Sequence, residues 1–155
     1  MKKKLHLIYF ILFVLISFNC SRKILLPTSA EVNYISGKEG TVTVRAIGIG
    51  NNEGEAITNA IYNAFDVLLF RGLPESEQKV ALIGTNENEE RNKQKTYFDQ
   101  FYSGRYKSFV MSSIPSSNLI NYTGGKKGIA VDIKINLVAL RKDLEQNNII
   151  RAFGF

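Results

Sequence analysis

Gly128-Ile129-Ala130-Val131-Asp132-Ile133-Lys134-Ile135-Asn136-Leu137 is the stretch that decides the fold. Ile129, Val131, Ile133, Ile135 and Leu137 fall on one side of an extended chain, and Ala130, Asp132, Lys134 and Asn136 on the other. A period of two marks a strand with one face buried and one face wet. Strands of that kind belong to antiparallel sheets that carry helices on a single face. The loop Gly124-Gly125-Lys126-Lys127-Gly128 joins this strand, expected to run on to Leu140, to Asn118–Thr123, so the two are expected to form a hairpin.

A second alternating run lies upstream. In Thr41-Val42-Thr43-Val44-Arg45-Ala46, the residues Val42, Val44 and Ala46 share a face, and Gly48 and Gly50 end the strand near Ile49. A helix is expected from about Glu53 to Arg71. Ala56, Ala60 and Ala64 recur every fourth residue, and Ile57, Ile61, Phe65, Leu68 and Leu69 flank them. Small residues in a stripe let a helix approach a sheet closely, while larger neighbours seal the sides. Gly72 fits the end of this helix, and Pro74 prevents its continuation.

The remaining segments are read more coarsely. Lys79–Ile83 fits a short strand or the end of a loop. Asn86–Lys107 reads as a second helix, with Glu87, Glu89 and Glu90 at its start and an aromatic stripe of Tyr97, Phe98, Phe101 and Tyr102 facing the core. Ser108–Ile114 fits a strand cut by Pro115, and Arg141–Asn148 a short closing helix. The expected fold is therefore α+β: an antiparallel sheet of about four strands with two main helices packed on one face. It forms a single domain over residues 41–155.

The N-terminus concerns location. Lys2, Lys3 and Lys4 precede an apolar run from Leu5 to Phe18, and the run ends at Asn19-Cys20. A positive start followed by a short apolar segment is the pattern of an export signal. About fourteen apolar residues fall short of the roughly 20 that a membrane helix needs. Cys20 is the single cysteine of the chain and stands where a bacterial lipoprotein is cleaved and acylated. Residues 1–19 are thus expected to be a signal peptide, Cys20 the lipidation site, and residues 20–40 a lipidated tether. Ser17, Phe18 and Asn19 stand where lipoprotein signals usually carry Leu, a small residue and Gly or Ala. An uncleaved anchor, or secretion with a free thiol, are the other readings of the same segment.

The expected mature chain is not strongly charged. Without Lys2, Lys3 and Lys4, 17 of the 20 basic residues remain against 14 acidic ones, about +3. That gives no reason to invoke nucleic acid. His6, the only histidine, lies in the signal, which removes histidine triads and histidine metal sites from the mature chain. Gly48-Ile49-Gly50-Asn51-Asn52-Glu53-Gly54 sits between a strand and a helix, where phosphate loops occur. Glu53 takes the place of the third glycine, and Glu53 and Glu55 would compete with a phosphate for the helix dipole. The segment is read as a tight strand-to-helix turn. Asp66, Asp99, Asp132 and Asp143 are expected on solvated faces, and no carboxylate pair stands out as an acid and base. No catalytic residue, cofactor or metal is expected.

Val42–Gly50, followed by Glu55-Ala56, Ala60, Asn63-Ala64 and Leu68, resembles a known envelope module. It is similar to the N-terminal domain of the flagellar assembly protein FlgT and to short outer-membrane lipoproteins that share that domain. The Val131–Leu144 segment, a strand running into a charged helix, also fits. The resemblance implies a small α+β module used as a structural piece of envelope assemblies, with no catalytic residues. The expected function is therefore a lipoprotein of the bacterial outer membrane, with its domain in the periplasm. It would be attached through its N-terminal lipid and act as a structural or assembly component, with a secretion-system membrane complex as the preferred host. Phe153 and Phe155, in an apolar tail, are candidate contacts with other envelope proteins. The alternative is a lipoprotein that binds a small molecule or glycan through Tyr97, Tyr102, Tyr106 and Tyr122.

Overall fold

The computed structural model describes residues 31–151. Cys20, Phe153 and Phe155, the signal and most of the expected tether lie outside the described residues. The fold is α+β, as the alternating strands require. Five strands form one antiparallel sheet: β1 (Val32–Lys38), β2 (Thr41–Gly50), β3 (Val110–Pro115), β4 (Ile120–Asn121) and β5 (Lys127–Asn136). Its order is β1-β2-β5-β3, and the two-residue β4 also pairs with β5. The long central pair matches Thr41 to Asn136 and Gly50 to Lys127 without a slip.

Helix α1 (Glu53–Phe70) lies directly on the face built by Val42, Val44, Ala46, Ile129, Val131, Ile133 and Ile135. Ala56, Ala60 and Ala64 are fully buried at this contact. The helix starts firmly. The Asn52 side chain accepts from the Glu55 amide, and the Glu55 carboxylate accepts from the Asn51 amide and side chain at 2.9 and 2.7 Å. It ends at Gly72 (φ 79°), whose amide reaches back to the Val67 carbonyl at 2.7 Å.

Helices α2 (Glu87–Lys93) and α3 (Lys95–Ser103) and a 3-10 turn (Arg105–Phe109) form a layer outside α1. Phe101 meets Phe65 edge to face at 5.2 Å, and Tyr106 packs on both Tyr62 and Phe65. Helix α4 (Leu137–Gln146) closes one end, with the Asn136 side chain capping the Ala139 amide at 2.9 Å.

Three expectations change, and one open reading resolves. The tether does not reach residue 40, because Val32–Lys38 is an edge strand paired with β2, and the sheet begins about nine residues earlier than residue 41. Its side chains alternate too weakly to announce it: only Val32 and Tyr34 turn toward the core before a bulge. Lys79–Ile83, open between a short strand and the end of a loop, is a loop. The Leu82 and Ile83 amides donate to the Leu68 and Leu69 carbonyls, which the end of α1 leaves open. The helix expected over 86–107 is broken at Gln94 (φ −115°, ψ 35°). The polar α2 buries nothing, whereas α3 turns Tyr97, Phe98 and Phe101 inward. Finally, the strand expected to reach Leu140 ends at Asn136, and Leu137 opens α4, the helix expected only from Arg141.

Candidate docking surface

Helices cover one face of the sheet and leave the other open. The open face is read in rows across the strands. Thr41 lies beside Asn136, and Thr43 beside Lys134 and Ser112. Arg45 lies beside Asp132 and Ile114, Ile47 beside Ala130, and Ile49 beside Gly128 and Ile120. One end is thus polar and the other apolar. The Arg45 guanidinium grips Asp132 through two parallel bonds of 2.7 and 2.8 Å. That hydrogen bond holds the Asp132 carboxyl below its ordinary pKa and raises that of Arg45.

The apolar end has a built floor. The Tyr122 ring lies over Gly128, where a Cβ would come within 2.2 Å of it. Ile114 is 62% exposed and Ile120 36%. On the β1 side, β2 extends past its partner, leaving the Ile47 and Ile49 carbonyls at an edge. Asn63 and Asn59 of α1 each donate to one of them at 2.8 Å. The helix therefore caps this half-edge, which would otherwise be a template for another strand.

Two polar clusters lie on the helix side, and both overturn an expectation. Asp66 is not on a solvated face: its carboxylate accepts from Arg91 at 2.6 Å and, over a very short contact, from the Tyr102 hydroxyl. Arg91 also bonds Glu87 at 2.9 Å and lies 4.6 to 5.5 Å from the rings of Tyr102, Phe70 and Phe98. Burial raises the Asp66 pKa, and Tyr102 and Arg91 only partly offset it. Asp143 is 8% exposed, not solvated, and it accepts from the Tyr97 hydroxyl at 2.8 Å and from Arg105. Burial and these carboxylates push both the Tyr97 and Tyr102 hydroxyls far above the ordinary tyrosine range. Among the described residues no buried side-chain nitrogen or oxygen lacks a partner. The clusters are closed on themselves and tie the outer layer to α1 and α4. Asp132 is on the open face and Asp99 pairs with Lys95 at the surface, as their positions suggest.

Asp143 had a signal in the sequence. With Leu140 and Leu144 it forms an i, i+3, i+4 stripe, so the helix phase puts it inward. The Arg91–Asp66 and Arg105–Asp143 pairs had none, because they span 25 and 38 residues.

The four tyrosines do not form one surface. Tyr97 and Tyr106 are in the core, Tyr102 is held by Asp66, and Tyr122 is on the opposite face of the sheet. Surface grooves exist elsewhere. One of about 500 Å³ runs between Val80–Ile83 and Ile149–Arg151, and one of about 470 Å³ lies over Phe98 and Tyr102. Among the described residues no group of acidic, cysteine or histidine side chains could hold a metal, and no helix is long and apolar enough to cross a membrane. No protein-family model, curated protein or solved structure matches the chain. The likeness to the envelope module therefore rests on Val42–Gly50 and the alanine stripe, which the structure explains as packing.

Proposed function

We propose that the chain is a periplasmic lipoprotein, anchored in the bacterial outer membrane through Cys20, that serves as a structural or assembly component of a cell-envelope machine. The observation that carries this reading is the lone cysteine at the end of the apolar run Leu5–Phe18. The fold supports it with a helix-free sheet face whose polar end, around Thr43, Arg45, Asp132 and Lys134, offers hydrogen-bonding groups to a protein partner. The first strand starts at Val32, so eleven residues separate it from Cys20. Fully extended, they hold the domain within about 40 Å of the acylated residue. A secretion-system membrane complex is the host we favour, and Phe153 and Phe155 are proposed to contribute to the contact.

Two measurements test the reading. Cells fed an alkyne fatty acid should yield labelled protein, with the label on Cys20. Pull-down of the full-length protein from solubilised envelopes should recover defined membrane partners, and removal of residues 153–155 should weaken that recovery while folding is unchanged. An unlabelled chain ends the lipoprotein reading. Equal recovery with and without the three residues removes Phe153 and Phe155 from the contact.

A further inference from the structure

The apolar end of the open face has a neighbour in the chain itself. Upstream of β1, the Glu31 carbonyl accepts from the Ile47 amide at 3.0 Å, so the chain leaves the sheet beside Ile47. Further along β2, Asn63 and Asn59 already donate to the Ile47 and Ile49 carbonyls. Helix α1 fills the face behind. The Glu31 carboxylate accepts from Asn33, which stands opposite Arg45 and so on the open side. The exit therefore lies beside the apolar end of the open face.

The residues before the exit fit what they would meet. Ile24-Leu25-Leu26 are three apolar residues in an otherwise polar stretch. Leu26 lies five residue steps before Glu31, an extended reach of about 17 Å. Crossing from β2 over β5 to β4 takes two strand spacings, about 10 Å. We propose that Ile24-Leu25-Leu26 packs on the apolar end of the open face, over Ile47, Ile49, Ile114, Ile120 and Tyr122. The segment covers apolar surface that would otherwise face water. Where Cys20 is acylated, as proposed above, it also shortens the free tether to Ser21–Lys23 and turns this end of the sheet toward the membrane.

The test uses the full-length chain in native membranes and again in detergent. Ile120→Cys is labelled with a maleimide, and labelling at that residue is read by peptide mass, which keeps it separate from Cys20. Adding Leu25→Asp should raise the labelling rate at least about fivefold in both settings. Pairing Leu25→Cys with Ile120→Cys, under mild oxidation, should give a disulfide within one chain. Leu25→Cys with Asn92→Cys, on the exposed α2, should not. A labelling rate indifferent to Leu25→Asp overturns the proposal. So does protection that detergent removes equally from both proteins, since the bilayer would then be the cover. A disulfide that joins two chains overturns it in favour of a second copy. These readouts stand whether or not Cys20 carries a lipid, so failure here is distinct from failure of the lipoprotein reading.

Discussion

A Cβ on Gly48 would stand 1.9 Å from the Ala56 carbonyl oxygen and 2.3 Å from the Ala60 nitrogen. Backbone touches backbone at this point, and it explains both the glycines of Gly48-Ile49-Gly50 and the alanines that face them. The motif is a packing device, and its likeness to a phosphate loop is incidental. Gly48→Ala should therefore destabilise the domain by about 1–3 kcal/mol, the usual cost of overpacking. Thermal unfolding followed by circular dichroism would read it as a midpoint several degrees lower. Adding Ala60→Gly should not rescue it, because the clash is with main-chain atoms. A full rescue would mean that side chains set the spacing. Asp143 makes a second case. Asp143→Ala strands the Tyr97 hydroxyl and Arg105 beside an apolar core. Leaving a buried donor unmet costs about 1–3 kcal/mol, and the half-open Arg105 adds little. Arg105→Ala should cost clearly less, because Tyr97 keeps its partner. Equal losses in urea unfolding would contradict that ordering.

Helices α2 and α3 are held to α1 by one acid whose titration is measurable. Asp66 faces Arg91, Tyr102 and Glu87, and burial sets its folded pKa above the ordinary 3.8. The folded state then holds a proton that the unfolded chain releases. The stability this group contributes is complete in acid below about 4 and is lost as pH rises through the raised value. The difference in stability between the native chain and Asp66→Asn should accordingly shrink from acid toward neutral pH. Asp132 and Glu55, whose pKa values are lowered, act in the opposite sense, but both proteins contain them and they cancel. A difference that grows with pH would show that the Arg91 pair outweighs burial. The same elements show what the sequence made legible. Strand β5, strand β2 and helix α1 were readable because each buries one face or stripe at a clean period. Strand β1 was not, since a two-residue commitment to the core followed by a bulge leaves no periodicity. The break at Gln94 was hidden by a run of good helix formers, and only the change from an all-polar surface to an aromatic stripe marks it. The open face was legible as a wet face. Its division into polar and apolar ends was not, because that depends on register across four strands.

At the scale of the whole molecule, the proposed membrane attachment rests on the apolar run Leu5–Phe18 and the cysteine that follows it. Among the described residues no helix is long and apolar enough to cross a membrane. The lipoprotein and permanent-anchor readings differ for Cys20→Ser wherever the signal is still cut from the serine chain. If the run is a signal removed on acylation, serine abolishes the lipid. The processed or secreted chain should then partition into the soluble fraction. If the run is a permanent anchor, cysteine is irrelevant, and the variant stays with membranes at its full unprocessed mass. We expect loss from the membrane fraction by at least about tenfold, measured by immunoblot after high-salt washing, which strips charge-held proteins but not acyl chains. The mass of the retained material settles any remainder. A membrane-bound Cys20→Ser chain that still carries residues 1–19 could be unprocessed precursor, whose uncleaved signal holds it in place. The native chain must therefore be weighed beside it. Native protein that starts at Cys20 with the added mass of acyl groups supports the lipoprotein, whereas native protein that starts at Met1 refutes it.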